Sequence, residues 1–193
     1  MFKWLGSVLP SVMSQQKSIQ QEFGTVGDNA LRLDTDKSEQ IVDALNTDLA
    51  SAYVLYHQLK KHHWNVEGAE FRDLHLFLGD AADNAEEAAD TLAERAQALG
   101  GTPVAGGKAL EEHAPVEPED EDVYDIRTSL ENDLAIYGEI IESMRNHVEL
   151  ATSLGDHATA EIIRELLVET EEDAHHIEHY LEDDTLVTEG SMQ

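Results

Sequence analysis

The stretch Lys60-Lys-His-His-Trp-Asn-Val-Glu-Gly-Ala-Glu-Phe-Arg-Asp-Leu-His75 decides the fold, because it joins two long periodic segments through a short polar connection. Apolar residues recur at intervals of three and four on both sides, a pattern that predicts one amphipathic helix before the connection and another after it. His63 is the next step of the first apolar stripe, so we expect its side chain to point inward. His75 opens the second helix, and the two imidazoles are therefore aimed toward one region.

The helical periodicity continues outward from this connection in both directions. We expect four long helices, A to D, at residues 36–63, 72–99, 120–153 and 157–182. Asp36 and Glu39 form a candidate capping pair for helix A, whereas Gly155 ends helix C and Asp156 caps helix D. No segment of the sequence has the pattern of a strand, and no repeat period is present.

The domain organisation follows from where this periodicity stops. Residues 100–122 are rich in glycine and proline and form a crossover between helices B and C, with room for a short helix at 108–113. Four long helices with one long central crossover are typical of an all-α, ferritin-like four-helix bundle. We therefore predict a bundle domain at 35–184, between a flexible N-terminal tail at 1–34 and a C-terminal tail at 185–193.

The composition argues against several classes of function. Of 193 residues, 41 are acidic and 12 are basic, and the formal net charge of −29 disfavours a role in coating nucleic acid. The same acidity suits a cytoplasm of high salt concentration, where screening removes the self-repulsion of the chain. Cysteine is absent, which excludes disulfides and thiolate metal sites. No apolar run is long enough to span a membrane, and Met13-Ser-Gln-Gln-Lys resembles a cytosolic N-terminus, so we expect a cytoplasmic protein.

Helix B carries the second half of a candidate metal site. Asp90 and Glu94 share a helical face with His75, and imidazole plus carboxylate without thiol suits iron. His75 and Glu94 are 19 residues apart, about 28 Å along a helix, so they cannot bind one ion within a subunit. If a second copy packs antiparallel across a two-fold axis, the imidazoles of one subunit meet the carboxylates of the other, in two equivalent sites per dimer. The alternative is that both carboxylates belong to a solvated helix face.

Helix D carries a competing set of donors. Glu172 and His175 have the Glu-x-x-His spacing that di-iron carboxylate bundles place on two helices. No second good copy is present in the sequence, and an oxygenase-type site inside the bundle is therefore disfavoured. His175, His176 and His179 remain a dense group. Three alternatives stay open for them: weak metal binding, guidance of ions, and solvation of the helix end.

The residues around both halves of the candidate site form a signature. Its residues are His63-Trp64, Gly68, Phe71, Leu74-His75, Asp90, Ala93-Glu94-Arg95 and Leu99-Gly100-Gly101-Thr-Pro103. By the order and spacing of these residues, the chain resembles the Dps family of mini-ferritins over about residues 36–183. The acidity and the segment 172–179 make the chain similar to the halophilic archaeal branch of that family.

The resemblance implies a hollow homo-dodecamer of tetrahedral symmetry, built from two-fold dimers, that stores iron. It implies two-iron ferroxidase centres at the two-fold interfaces, where His63 and His75 of one subunit face Asp90 and Glu94 of the other. Fe(II) is expected to be oxidised there, preferably by hydrogen peroxide, and kept as Fe(III) mineral, which suppresses hydroxyl-radical chemistry. Trp64, beside the centre, is a candidate electron donor to trapped oxidant or, equally, a plain interface contact.

The chain departs from the family pattern at one position. The family commonly has a third carboxylate one turn after the second histidine, where this chain has Gly79. The second iron position therefore lacks an expected ligand, and Asp83, one turn farther on, is a candidate to replace it through water. Asp83, Glu86 and Glu87 are also candidate mineral-nucleating carboxylates on an inner surface, or else an exposed acidic face.

The family name refers to DNA, which is usually bound through a lysine-rich tail. The N-terminal tail of this chain carries little positive charge beyond Lys3, Lys17 and Arg32, so we predict no useful DNA affinity. Two functions stay open: an iron-oxidising storage protein, and a non-catalytic acidic stress-protein shell that binds ions. An internal di-iron oxygenase is a weaker third.

Overall fold

The protein is built from α-helices. The computed structural model describes residues 18–182, and within that range it contains no strand. The helices are α1 Thr35–Asn65, α2 Phe71–Ala98, α3 Gly107–His113, α4 Ile126–Leu154 and α5 His157–Leu181. The all-α fold and the short helix in the crossover are confirmed, and none of these helices combines the length and apolarity that a membrane span needs. The expected C-terminal tail at 185–193 and the first half of the expected N-terminal tail at 1–34, residues 1–17, lie outside the described residues.

The long helices pack as two hairpins around a common core. α1 packs against α2, α4 and α3, and α4 packs against α5, whereas α2 and α5 meet only weakly. The largest buried apolar side chains come from all four long helices, and each stabilises the fold by about 1.5–3 kcal/mol: Leu45, Leu49, Leu59, Leu78, Leu92, Tyr137, Ile163 and Ile177. The weak contact between α2 and α5 leaves a cleft of about 490 Å³ that reaches into the bundle.

The start of α1 differs from the predicted one. The helix begins at Thr35, and its N-cap residue is Asp34, whose side chain makes no capping hydrogen bond. The Asp34 carbonyl accepts the first intrahelical hydrogen bond, from the backbone N–H of Ser38 at 2.9 Å. The predicted capping pair of Asp36 and Glu39 is therefore wrong.

α4 begins at Ile126, six residues later than the expected start at 120. The Asp125 carboxylate accepts hydrogen bonds from the backbone N–H and the hydroxyl of Thr128, at 3.1 and 2.7 Å, and so caps the helix at this point. The preceding residues turn instead, with Asp120 accepting from the N–H of Asp122. The expected start was wrong because the apolar pattern does not reveal this cap.

The joint between α4 and α5 has the expected form. Gly155 ends α4 with a φ of 85°, and the Asp156 carboxylate accepts from the N–H of Thr159 to cap α5. Asp156 also accepts two hydrogen bonds of 2.9 Å from Nη2 of Arg95. Burial raises the pKa of Asp156, but the hydrogen bonds from Thr159 and Arg95 outweigh it and leave the pKa below its usual value. This network ties α2 to the α4–α5 turn.

Residues 18–34, which precede α1, lie along the bundle without forming a helix. The N–H of Gly27 and the side-chain amide of Gln21 both donate to the Gly100 carbonyl, at 2.9 and 2.8 Å. Gly100 has a φ of 87°, and a Cβ added there would collide with the Gly27 carbonyl. Only glycine therefore fits this close approach at the end of α2.

Candidate metal centre

His63 and His75 hold each other in place where α1 ends and α2 begins. Nδ1 of His63 donates to the carbonyl of His75 at 2.7 Å, and Nδ1 of His75 donates to the carbonyl of His63 at 2.8 Å. The rings are stacked, with centroids 3.8 Å apart and planes tilted by 19°. The connection turns tightly enough for this pairing because Gly68 adopts a φ of 108°.

These hydrogen bonds fix which ring nitrogen can bind a metal ion. A carbonyl only accepts, so each Nδ1 carries the proton, and in the neutral imidazole each Nε2 keeps its lone pair for a metal. An ion bound by imidazole lies in the ring plane about 2.1 Å from nitrogen. The two ring planes are tilted by only 19° and their centroids are 3.8 Å apart, so the planes do not meet at a point about 2.1 Å from both nitrogens. In this stack, the two imidazoles could therefore not bind one ion together.

The imidazole stack is enclosed by one aromatic ring and one glycine. Phe71 stacks on the other face of His75, with centroids 5.1 Å apart. A Cβ added at Gly79 would lie 3.1 Å from Cε1 and 3.2 Å from Nδ1 of His63, which is closer than ordinary contact. The position where the family pattern has a carboxylate is therefore the position against which the His63 ring rests.

Asp90 and Glu94 lie at the other end of the same helix. α2 is uninterrupted from Phe71 to Ala98, so Glu94 stands about 28 Å along the axis from His75. Both carboxylates are exposed. Within residues 18–182, no group of three or more His, Cys, Asp or Glu side chains is close enough to hold a metal ion. The structure of one subunit brings the imidazoles together but leaves the two carboxylates apart from them.

Apolar side chains are exposed beside the imidazoles. Trp64 is 71% exposed and Leu76 is 53% exposed, and Phe71 is also exposed. Clustered exposed apolar groups are typical of an interaction surface. Leu76 shares its helical face with Glu94, because 18 residues at 100° each complete five full turns. The exposed apolar side chains therefore lie beside the imidazole half of the candidate site, and one of them lies on the helical face that also carries Glu94.

The histidines near the end of α5 face outward. Nε2 of His175 and Nε2 of His179 are 3.1 Å apart, and Nδ1 of His175 lies 3.3 Å from the Glu178 carboxylate. Glu172 is exposed as well, whereas the intervening Asp173 is buried. The Glu-x-x-His pair is thus turned away from the bundle interior, which argues against an oxygenase-type site there.

The other acidic candidates on α2 are also exposed. Asp83 pairs with Lys60 at 3.2 Å, so a cation already neutralises the carboxylate that was expected to replace a ligand near Gly79. Glu86 is exposed, and Glu87 lines the mouth of the cleft between α2 and α5.

Sequence reasoning missed the imidazole that is buried most deeply at this end of the bundle. His63 is half-buried against α2, but its neighbour His62 is only 3% exposed. Nδ1 of His62 contacts the Asp133 carboxylate at 2.8 Å, and Nε2 contacts Glu119 at 3.0 Å. Burial lowers the pKa of His62, but the two carboxylates outweigh it and raise the pKa above its usual value. The i, i+4 spacing of Gln58 and His62 was the available signal for a polar group facing the core.

A second imidazole–carboxylate pair, of which the carboxylate is buried, lies farther along the bundle. Nδ1 of His147 on α4 contacts the Asp48 carboxylate on α1 at 2.9 Å, and Ser143 donates to the same group. Burial raises the pKa of Asp48 despite these partners. Asp173 lines the same cleft, and burial raises its pKa too. These groups are satisfied by protein partners, so they are structural in one subunit.

The comparisons with known proteins agree with the fold and with the resemblance to the Dps family. Residues 42–187 match the family model of the ferritin-like domain. The protein named DNA protection during starvation protein from Halobacterium salinarum is 69% identical over 182 residues, which cover 94% of this chain and 100% of that protein. The crystal structure of an archaeal Dps homologue from the same organism has a TM-score of 0.89 and 69% identity, and covers 93% of this chain and 100% of that chain.

A more distant solved structure extends the comparison. Dps from Vibrio cholerae O1 is described as a member of a broad superfamily of ferritin-like diiron-carboxylate proteins. It is 27% identical, with a TM-score of 0.76, and covers 84% of this chain and 100% of that chain. On the strength of the matching family model and the 69% identical relative, the chain belongs to the ferritin-like family and, within it, to the Dps proteins.

Proposed function

We propose that this chain oxidises Fe(II) and stores it as Fe(III) mineral inside a hollow cytoplasmic homo-dodecamer built from two-fold dimers. The stacked imidazoles carry the proposal, because His63 and His75 present two Nε2 lone pairs at one end of α2 while Asp90 and Glu94 lie at the other end. An antiparallel copy of α2 brings the imidazoles of one subunit to the carboxylates of its partner. Each two-fold dimer then has two centres, and neither subunit completes one alone.

The chemistry of such a centre follows from its donors. In this proposal, one imidazole binds each of two ferrous ions, and the carboxylates favour the ferric state by their charge. Two ferrous ions and one hydrogen peroxide molecule take up two protons and give two ferric ions and two water molecules. Because two adjacent ions supply both electrons, no hydroxyl radical is released. The ferric ions then hydrolyse to mineral.

The residues around the centre have supporting roles in this proposal. Trp64 packs between subunits or donates an electron to trapped oxidant. A Trp64→Phe variant separates these two roles, because phenylalanine keeps the packing and is much harder to oxidise. Mineral nucleates on the exposed carboxylates of Asp83, Glu86 and Glu87. To hold iron through water, Asp83 must first be released from its ion pair with Lys60.

The exposed histidines of α5 fit a role in iron transfer. The two nitrogens of His175 and His179 that face each other at 3.1 Å suit transient binding of an incoming ion. Solvation of the helix end is the alternative, because both rings are exposed.

A test separates this function from its main rival, an acidic shell that binds ions without catalysis. In the His75→Ala and Glu94→Ala variants, we expect peroxide-driven Fe(II) oxidation to fall at least about tenfold. His57→Ala and Glu149→Ala are matched controls, because both replace exposed side chains on helices that also build the bundle. Unchanged oxidation rates in the first pair, with intact assembly, would favour the non-catalytic shell.

The names of relatives mention DNA, but the charge of this chain opposes DNA binding. Its formal net charge is −29 per subunit, and a phosphate backbone is repelled by that charge at physiological salt. We propose that protection against oxidative damage comes from the removal of iron and peroxide and does not need contact with DNA.

A further inference from the structure

A fully satisfied polar cluster lies directly behind the candidate metal centre. Its central ring is His62, in the last turn of α1, with both nitrogens engaged by Asp133 and Glu119 at 2.8 and 3.0 Å. Asp133 belongs to α4 and is fully buried. Neither nitrogen of His62 is left for a metal ion, so the residue needs a different explanation from that of its neighbour His63.

Glu119 connects the crossover to this cluster. It lies between α3 and α4, outside any helix. Its carboxylate accepts from Lys61 Nζ and from the Asn132 side-chain amide, both at 2.6 Å, in addition to its contact with His62. The backbone N–H of Glu119 donates to the Gln58 side chain at 2.8 Å. A single crossover residue therefore contacts three residues in the last two turns of α1.

The cluster acts on the part of α1 that carries the candidate ligands. Lys61 and His62 immediately precede His63, so their contacts with Glu119 hold the backbone from which the His63 ring extends. The carbonyl of His63 accepts from Nδ1 of His75 at 2.8 Å. A shift of this helical turn would therefore displace both imidazoles, His63 through its own backbone and His75 through its hydrogen bond.

We propose that Glu119 and His62 are positioning residues for the metal centre, an inference that rests on the proposed function of His63 and His75. The last turn of a helix lacks intrahelical partners for its carbonyls and frays readily. A polar cluster with every member paired is rigid, and metal ligands need placement within about 0.5 Å. The crossover thus positions the imidazoles of the centre from the protein interior, without contacting the ion.

The test uses Glu119→Gln and His62→Gln in the assembled protein. Two measurements are made: hydrogen exchange by mass spectrometry across residues 59–66 without metal, and Co(II) binding by calorimetry and visible absorption. We expect faster exchange across 59–66, a Co(II) affinity lowered about tenfold, and an altered Co(II) spectrum. The spectrum reports ligand geometry, which a general loss of stability does not alter.

The matched control is His147→Gln, which removes a comparable contact between an imidazole and an aspartate, that of the part-buried His147 with Asp48. This variant is expected to keep the wild-type spectrum and affinity. Wild-type exchange and Co(II) binding in both cluster variants, or equal effects in the control, would overturn the inference. If hydrogen exchange rises in the variants but wild-type protein binds no Co(II) at His63 and His75, the proposed function is wrong, whereas the stabilisation of the end of α1 by Glu119 and His62 is confirmed.

Discussion

Replacing Gly79 with alanine should separate stability from metal affinity. The new Cβ would lie 3.1 Å from Cε1 of His63 and 3.2 Å from its Nδ1, whereas carbon atoms in good contact are about 3.5–4.0 Å apart. The His63 ring must therefore move by a few tenths of an ångström. That movement strains the 2.7 Å hydrogen bond to the His75 carbonyl, which contributes about 1 kcal/mol. Its loss corresponds to a metal affinity lowered by up to roughly fivefold.

The same substitution favours the helix itself. Alanine is more stable than glycine inside a helix by about 0.5–1 kcal/mol, and this gain offsets the strained hydrogen bond of about 1 kcal/mol, so Gly79→Ala should melt close to the temperature of the wild-type protein. Calorimetric titration with Co(II) and thermal denaturation followed by circular dichroism measure the two effects. Gly138→Ala on α4 is the control, because its added Cβ contacts nothing within 4 Å. It should gain stability and keep its affinity. Wild-type Co(II) affinity in Gly79→Ala would refute the steric role of this glycine.

Three further predictions concern packing, pH and DNA. Gly101→Ala should destabilise the fold by about 1–3 kcal/mol, because its added Cβ collides with Val42. Gly107→Ala should not destabilise the fold, because the space around Gly107 is open, and chemical denaturation measures the free energy of unfolding of both variants. The folded pKa of Asp156 is lowered, so its stabilising effect is present above the ordinary carboxyl pKa of about 3.9 and disappears as the pH falls through the lower folded value. Melting curves of Asp156→Asn and wild type should therefore converge in acid and differ at neutral pH. In a salt-titrated gel shift the protein should not retain DNA at physiological salt, and retention there would contradict the electrostatic argument.

Local patterns in the sequence were sufficient for the fold and for one half of the site. Apolar spacing located the long helices, and the short polar connection placed His63 and His75 near each other. Gly155 and Asp156 were recognisable because a left-handed glycine and a capping aspartate act within a few residues. The separation of His75 from Asp90 and Glu94 was predictable from the length of α2 alone, because the rise per residue of a helix is fixed.

Features that depend on tertiary contacts could not be predicted from the sequence. His62 is the buried imidazole and His63 the half-buried one, a choice made by Asp133 and Glu119 on other elements. The apolar pattern around 120 suggested an early start for helix C, but the side-chain cap at Asp125 decides the start of α4. The contact between Gly79 and the His63 ring depends on a side-chain position that the spacing of residues does not determine.

The sharing of each centre between two subunits is tested most directly by complementation. One variant subunit carries His63→Ala and His75→Ala, and the other carries Asp90→Ala and Glu94→Ala, so each assembly alone should be inactive in peroxide-driven iron oxidation. When the two are co-assembled at equal concentrations, half of the dimers are mixed and each mixed dimer regains one of its two centres, so about a quarter of the wild-type rate should return. A co-assembled protein that remains as inactive as its two parents would contradict the shared centre.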